Sequence, residues 1–256
     1  MKVTSLLALA ILTSCQSHQF IASPHYIPVN SQKGQLTLSA TAINGAQAGY
    51  AITDNVSAFA TIHYRLWETP LLYKENSGNP IYKDSVIRFD AGIAYHKPIN
   101  EKLSYGILTG FGKGEVSYAH EIDFENQYRY HFTGKLTSIY LQTSITYKPS
   151  PTFNMSAFVR NSYNRYTNLT QHLTLGSASY VDKNDQPLYN FLTNHSTANL
   201  LYLEPGVQIQ AGSKNIKFTA QGSTLIKENN NHFRQRQFNF FLGLSLTLDF
   251  EKKSRE

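Results

Sequence analysis

The chain has 256 residues, only 16% of them charged, a formal net charge of +6 and a mean hydropathy of −0.35. These values exclude a bundle of membrane helices, and the scattered basic surplus forms no basic-aromatic module of the kind that binds nucleic acid. One cysteine excludes a disulfide framework. A polar average does fit a transmembrane barrel, because only every second residue of a strand faces lipid.

The first segment reads as an export leader. Met1 and Lys2 give a charged start, and residues 6–12 form an apolar core too short to span a bilayer. Leu12-Thr13-Ser14-Cys15 resembles the lipobox of bacterial lipoproteins, in which the cysteine becomes the acylated first residue of the mature chain. Residues 1–14 are therefore expected to be a lipoprotein signal peptide, and 15–34 a lipidated tether anchored through Cys15. The tether holds Pro24 and Pro28 and has no clear period. One acyl chain anchors weakly, so a stable hold needs a second attachment, which a barrel supplies.

From Gln35 the period is two. In the last strand Phe238, Phe240, Leu242, Leu244, Leu246, Leu248 and Phe250 fall on one face, opposite Asn239, Gly243, Ser245, Thr247 and Asp249. Ile87, Phe89, Ala91, Ile93 and Tyr95 oppose Arg88, Asp90, Gly92, Ala94 and His96 in the same way. Alternation of this length means strands with one apolar and one polar face. It predicts ten strands, at 35–44, 46–53, 56–65, 86–97, 103–116, 135–148, 153–166, 200–211, 216–225 and 238–250. The connections at 53–55, 98–102, 149–152 and 212–215 are short and rich in turn residues. Those at 66–85, 117–134, 167–199 and 226–237 are long. The predicted fold is all-β, a closed antiparallel up-and-down transmembrane barrel over 35–250, with a charged tail at 251–256 and both termini in the periplasm.

Alternation alone does not say which face points inward. A soluble lipocalin would enclose its apolar face around a greasy ligand. Three features favour the membrane arrangement. Gly106, Gly110, Gly112 and Gly114 on the polar face suit a crowded interior. Charges lie at mid-strand on that face, where a narrow lumen pairs them. Tyr95, Tyr105, Tyr147, Phe153 and Phe250 sit near the short-turn ends of the apolar faces, as an interfacial girdle would.

The stretches Lys33-Gly34-Gln35-Leu36-Thr37-Leu38 and Gly49-Tyr50-Ala51-Ile52-Thr53-Asp54-Asn55, the glycines of 106–114, Tyr202-Leu203-Glu204-Pro205 with Lys214-Asn215-Ile216-Lys217-Phe218, and the last strand resemble a group of uncharacterised outer-membrane barrel lipoproteins of Bacteroidota. The resemblance spans nearly the whole mature chain. It implies a fold and an outer-membrane address, and brings no established activity, cofactor or site residues. No acidic cluster follows Cys15. Such a cluster exports some lipoproteins of that group to the cell surface, so its absence favours an inner-leaflet anchor.

Chemistry-bearing residues are few. Counted from the short turns, His63 and Asp90 stand at similar heights on neighbouring strands, as do Arg160 and Glu204. The bland reading is a lumen charge network in which buried charges are paired. The functional reading makes His63 a base oriented by Asp90. Nine histidines show no metal-ligand spacing, and no metal or other cofactor is expected. Loop residues His172, Asp182, Asp185 and His195 resemble ten-stranded outer-membrane proteases only in offering Asp and His above a barrel. Residues 117–134 mix Tyr118, Phe124, Tyr128, Tyr130 and Phe132 with charges, a composition suited to binding a protein or a glycan, or to packing on itself as a lid, and some of these residues would alternatively extend the strands beyond the membrane. The reading is a non-enzymatic structural or accessory component of the envelope. It would contact outer-membrane lipid and dock a larger complex or a surface glycan through its loops. The alternatives are a narrow pore, a hydrolase using His63 and Asp90, and a tethered lipocalin-like carrier.

Overall fold

The computed structural model describes residues 32–41, 45–68, 81–122, 128–174, 186–227 and 238–250. Cys15, its leader and tether, the C-terminal tail, and Asp182 and Asp185 lie outside the described residues.

The strands are β1 (Gln35–Thr41), β2 (Gly45–Ala51), β3 (Val56–Glu68), β4 (Ile81–Pro98), β5 (Leu103–Ile122), β6 (Tyr128–Ser150) and β7 (Phe153–Thr174). Helix α1 (Gln186–Asn194) follows, then β8 (Ala198–Gly212), β9 (Ile216–Thr224), the two-residue β10 (Ile226–Lys227) and β11 (Phe238–Asp249). Every pairing is antiparallel, β1 pairs with β11, and β8 pairs with β9, so the sheet closes on itself. The result is a ten-stranded up-and-down barrel, with β10 a short continuation that pairs with β8. Closure removes the unpaired edges that an open sheet of this length would expose.

The short turns are held by their own side chains. Thr53 Oγ1 accepts from the backbone N–H of Asn55 and Val56, and Asn100 Oδ1 accepts from those of Lys102 and Leu103. Ser213 Oγ accepts from the N–H of Ile216. Each closes a turn whose backbone donors would otherwise lack partners.

The apolar face points outward. Ile87, Phe89, Ile93, Phe111, Ile139, Ile145, Phe218 and Leu244 are all exposed, while the alternate positions Arg88, Asp90, Ser138, Gln142, Arg160 and Glu204 are buried. That arrangement is stable only where the outside is hydrocarbon, and it is the architecture of an outer-membrane β-barrel. Among the described residues no helix is long and apolar enough to cross a membrane, so the strands do the crossing.

The wall is uneven. β4 to β7 have 18, 20, 23 and 22 residues, whereas β1, β2 and β9 have 7, 7 and 9. The stretch 117–134, expected to be a loop, is therefore corrected: most of it continues β5 and β6, and only 123–127 lies outside the described residues. The reason is a change of phase. Within the membrane band most outward residues are apolar. Above it the outward residues are Glu115, Ser117, Thr133 and Lys135, and the inward ones are the buried Val116, Tyr118, Phe132 and Leu136. Period two persists, but the apolar face switches sides once the outside is water.

Helix α1 explains the apolar interior there. Pro187 stands in its first turn, where a missing N–H costs nothing. Leu188 and Leu192 are four apart and lie on one face. They enter a core with Val116, Tyr118, Phe132, Tyr166, Leu169, Leu200 and Leu225. The connection 167–199 was expected to be a loop throughout; instead it contains the end of β7 and this helix, which closes the lumen from above. Below it Phe59, Ala94, Leu108 and Tyr140 form a second buried cluster across the barrel. Purified protein in a planar bilayer should therefore carry no stepwise current. Ohmic channels of uniform size would contradict this packing and restore the pore reading.

Candidate functional site

Buried charges meet on the inward face, and their centre is Arg88, a residue the sequence reading left out. Asp90 lies opposite Thr61, and Arg88 lies opposite His63. Arg88 Nη2 reaches Asp90 Oδ1 at 2.7 Å and its Nε donates to both carboxylate oxygens, at 2.9 and 3.0 Å. The same Nη2 donates to Ser138 Oγ at 2.8 Å, and Thr61 Oγ1 donates to Asp90 at 3.3 Å. The Asp90 carboxylate is thus committed to a guanidinium rather than to an imidazole. Gly112 makes the room, since a Cβ there would collide with Asp90 and Ser138. His63 is buried one rung above, edge-on to Phe241 with ring centroids 6.4 Å apart.

Arg160 and Glu204 are direct cross-strand partners on β7 and β8. Arg160 also donates to Gln142 Oε1 at 3.1 Å, and its guanidinium lies 4.4 Å from the centre of the Tyr140 ring. All four charges are nearly inaccessible, so a substrate has no route to them without unfolding the lumen.

Outside the barrel, at the point where its wall leaves the membrane, a second arrangement is accessible. On the outer face of β4 Ile87 stands beside Glu115 of β5, which faces Lys135 of β6. One rung higher run Ser85, Ser117 and Thr133, then Ala119, His131 and His172. Ser117 Oγ and His131 Nε2 are 3.0 Å apart on the diagonal between these rungs. That is hydrogen-bond reach between a hydroxyl and an imidazole, the relation that activates a serine nucleophile.

A break in the sheet opens space beside the pair. The β6–β7 register shifts between Thr133 and Lys135, and Asn168 on β7 takes a left-handed backbone, φ 53°. Bulges of this sort re-aim side chains and end regular pairing. Here the bulge turns Leu169 inward to the α1 core and His172 outward, opposite His131. Thr133 and Thr170 are tied across it by a hydroxyl contact of 2.7 Å. A cavity of about 290 Å³ results, lined by Ser85, Glu115, Ser117, Thr133, Lys135 and Asn168.

No family model matches the chain, and no curated protein matches it. Solved structures that resemble the chain include two from enteric bacteria. One is the outer membrane protease OmpT from Escherichia coli, 10% identical, with a TM-score of 0.46 over 86% of this chain and 94% of that one. The other is LpxR from Salmonella typhimurium, also 10% identical, with a TM-score of 0.35 over 84% of this chain and all of that one. Likenesses this distant speak to fold. The expectation of a non-enzymatic structural component is corrected on this chain's own geometry, because the wall carries a hydroxyl–imidazole contact between Ser117 and His131 which that expectation left out.

The sequence reading had placed Ser117 and His131 in a loop and so never set them on facing strands. One signal was legible: both are odd-numbered residues on the outward parity of β5 and β6, with period two running on through Tyr118 and Phe132. Among the described residues no cluster of His, Cys, Asp and Glu has the shape of a metal site.

Proposed function

We propose that this barrel is an outer-membrane serine hydrolase that cleaves acyl esters of the surrounding lipid at the headgroup level of the outer leaflet. The observation that carries the reading is the 3.0 Å contact between Ser117 Oγ and His131 Nε2 beside a cavity at the edge of the apolar band. Lys113, Glu115 and Lys135 mark that edge, where hydrocarbon gives way to charge. An ester carbonyl of a membrane lipid lies at the same depth, so the substrate arrives by lateral diffusion and never enters the lumen.

The chemistry follows from the residue types. His131 takes the hydroxyl proton as Ser117 Oγ attacks the ester carbonyl, and returns it to the leaving alcohol as the C–O bond breaks. Water, deprotonated by the same imidazole, then releases the acyl group as a free carboxylate. Lys135 and the Asn168 amide border the cavity and are available to the developing oxyanion. In this reading the substrate side faces the cell exterior and both termini face the periplasm. The pairing of β1 with β11 supports that orientation by bringing the two ends together at the short-turn rim. An acyl anchor on Cys15 belongs to the same proposal.

Activity-based labelling tests it directly. Folded barrel in detergent, treated with a long-chain fluorophosphonate and digested, should carry the adduct on the peptide containing Ser117. No adduct, or adducts spread over several serines and kept after unfolding, would remove the case for a nucleophile.

A further inference from the structure

The lumen holds a chamber of its own, apart from the Ser117 wall. At the short-turn end a cavity of about 400 Å³ is lined from β6, β7, β8, β9, β11 and β1, within the usual size range of small-ligand sites. Its lining brings together Lys148 and Lys217, with Lys102 and Lys214 at the rim, against a single carboxylate, Glu101. Asp249, the nearest other acid on the inward face of β11, is engaged by Gln35 Nε2 at 2.7 Å.

The two inner lysines are placed by the frame. The Lys148 N–H donates to the Lys102 carbonyl at 2.7 Å, which fastens the end of β6 to the β4–β5 turn. Lys217 is the second residue of β9 and points inward, opposite Gly212. Asn154 is buried beneath it. With its amide oriented to satisfy both ends, its Oδ1 accepts from Lys217 Nζ at 2.8 Å and its Nδ2 donates to the Phe153 carbonyl at 3.0 Å. Farther in, buried Phe158 and Tyr140 fill the lumen, so the chamber is a dead end. Ammonium groups gathered in a concave site with low-dielectric walls focus a positive potential that an anion relieves.

We infer that this chamber binds a small multivalent oxyanion, of the phosphate or phosphate-monoester class, between Lys148 and Lys217. The neutral donors Gln210 and Thr247 line the same wall and suit the remaining oxygens. The chemistry is shared by free phosphate and by the phosphate of a lipid headgroup, and the experiment separates them.

Full-length folded barrel in an uncharged detergent is titrated calorimetrically with pyrophosphate, and in parallel with a short-chain phosphatidic acid, whose headgroup is a phosphate monoester. Chloride holds ionic strength constant. Saturable one-to-one binding is expected, weakened at least tenfold in the Lys148→Gln/Lys217→Gln double variant, which should keep its gel shift on boiling and its Ser117 labelling. Binding of pyrophosphate alone assigns the site to a free anion, and binding of the lipid assigns it to a headgroup. Should the double variant not fold, Lys217→Gln alone, nearer the rim, gives the same comparison. No saturable binding of either ligand, or equal binding in wild type and variant, overturns the inference.

Discussion

Replacing Ser117 by Ala should reduce release of fatty acid from outer-membrane phospholipid by at least ~10²-fold, with His131→Asn falling to the same level. The two groups act as one device, so the double variant should be no worse than either single one. Both side chains lie on the outside of the wall and contribute nothing to the lumen or the α1 core, and surface changes of this kind move stability by only about ±0.5 kcal/mol. The boiled and unboiled gel positions should therefore be unchanged. His63→Ala serves as the control that separates the two readings of this barrel. If it silences hydrolysis while leaving the fold intact, and Ser117→Ala does not, the site lies in the lumen after all and the wall pair is incidental.

Asp90→Ala should be the most damaging single substitution in the barrel. It leaves the Arg88 guanidinium, 3% exposed, without the carboxylate that two of its nitrogens now face. Arg160 lies in the same network, and its field would then go unopposed except by Glu204. Removing one partner of a buried pair typically costs about 3–5 kcal/mol, because a charge is stranded where water cannot reach it. Arg88→Met combined with Asp90→Leu should recover most of that loss, since an apolar pair strands nothing. Urea unfolding in phospholipid vesicles, followed by the shift on boiling, measures both. A double variant as unstable as the single would mean that the ion pair, rather than the stranded charge, holds the lumen together. Gly112 sets a limit on repacking, because the leucine must fit where only a glycine allows the carboxylate.

The lumen pattern was open to sequence reasoning in outline only. Height counting from the short turns placed Arg160 opposite Glu204, and the register agrees. The same counting set His63 beside Asp90, yet the register is off by two residues and puts Arg88 opposite His63. A guanidinium with several donors outbids an imidazole for a buried carboxylate, and it sits on the same strand, two residues away. Counting heights does not capture that competition.

The sequence by itself determined the fold class. Ten apolar-polar alternations separated by turn residues have one economical solution, and closure follows from the cost of an unpaired edge. It determined the short turns too, because Thr53, Asn100 and Ser213 cap backbone donors within three residues, a purely local interaction. The tertiary structure decided everything that depends on what surrounds a strand. Whether 117–122 and 128–134 are loop or wall turns on the point where lipid ends, since the apolar face changes sides there and a pattern read for constant phase appears to stop. The descent of α1 into the mouth depends on Leu188 and Leu192 meeting residues brought from five strands far apart in the chain. The meeting of Ser117 with His131 depends on the continued β5–β6 register, and the cavity beside it on a bulge between β6 and β7 that no local signal announces. Contacts between distant strands are fixed by register, and register is a property of the closed sheet rather than of any segment within it.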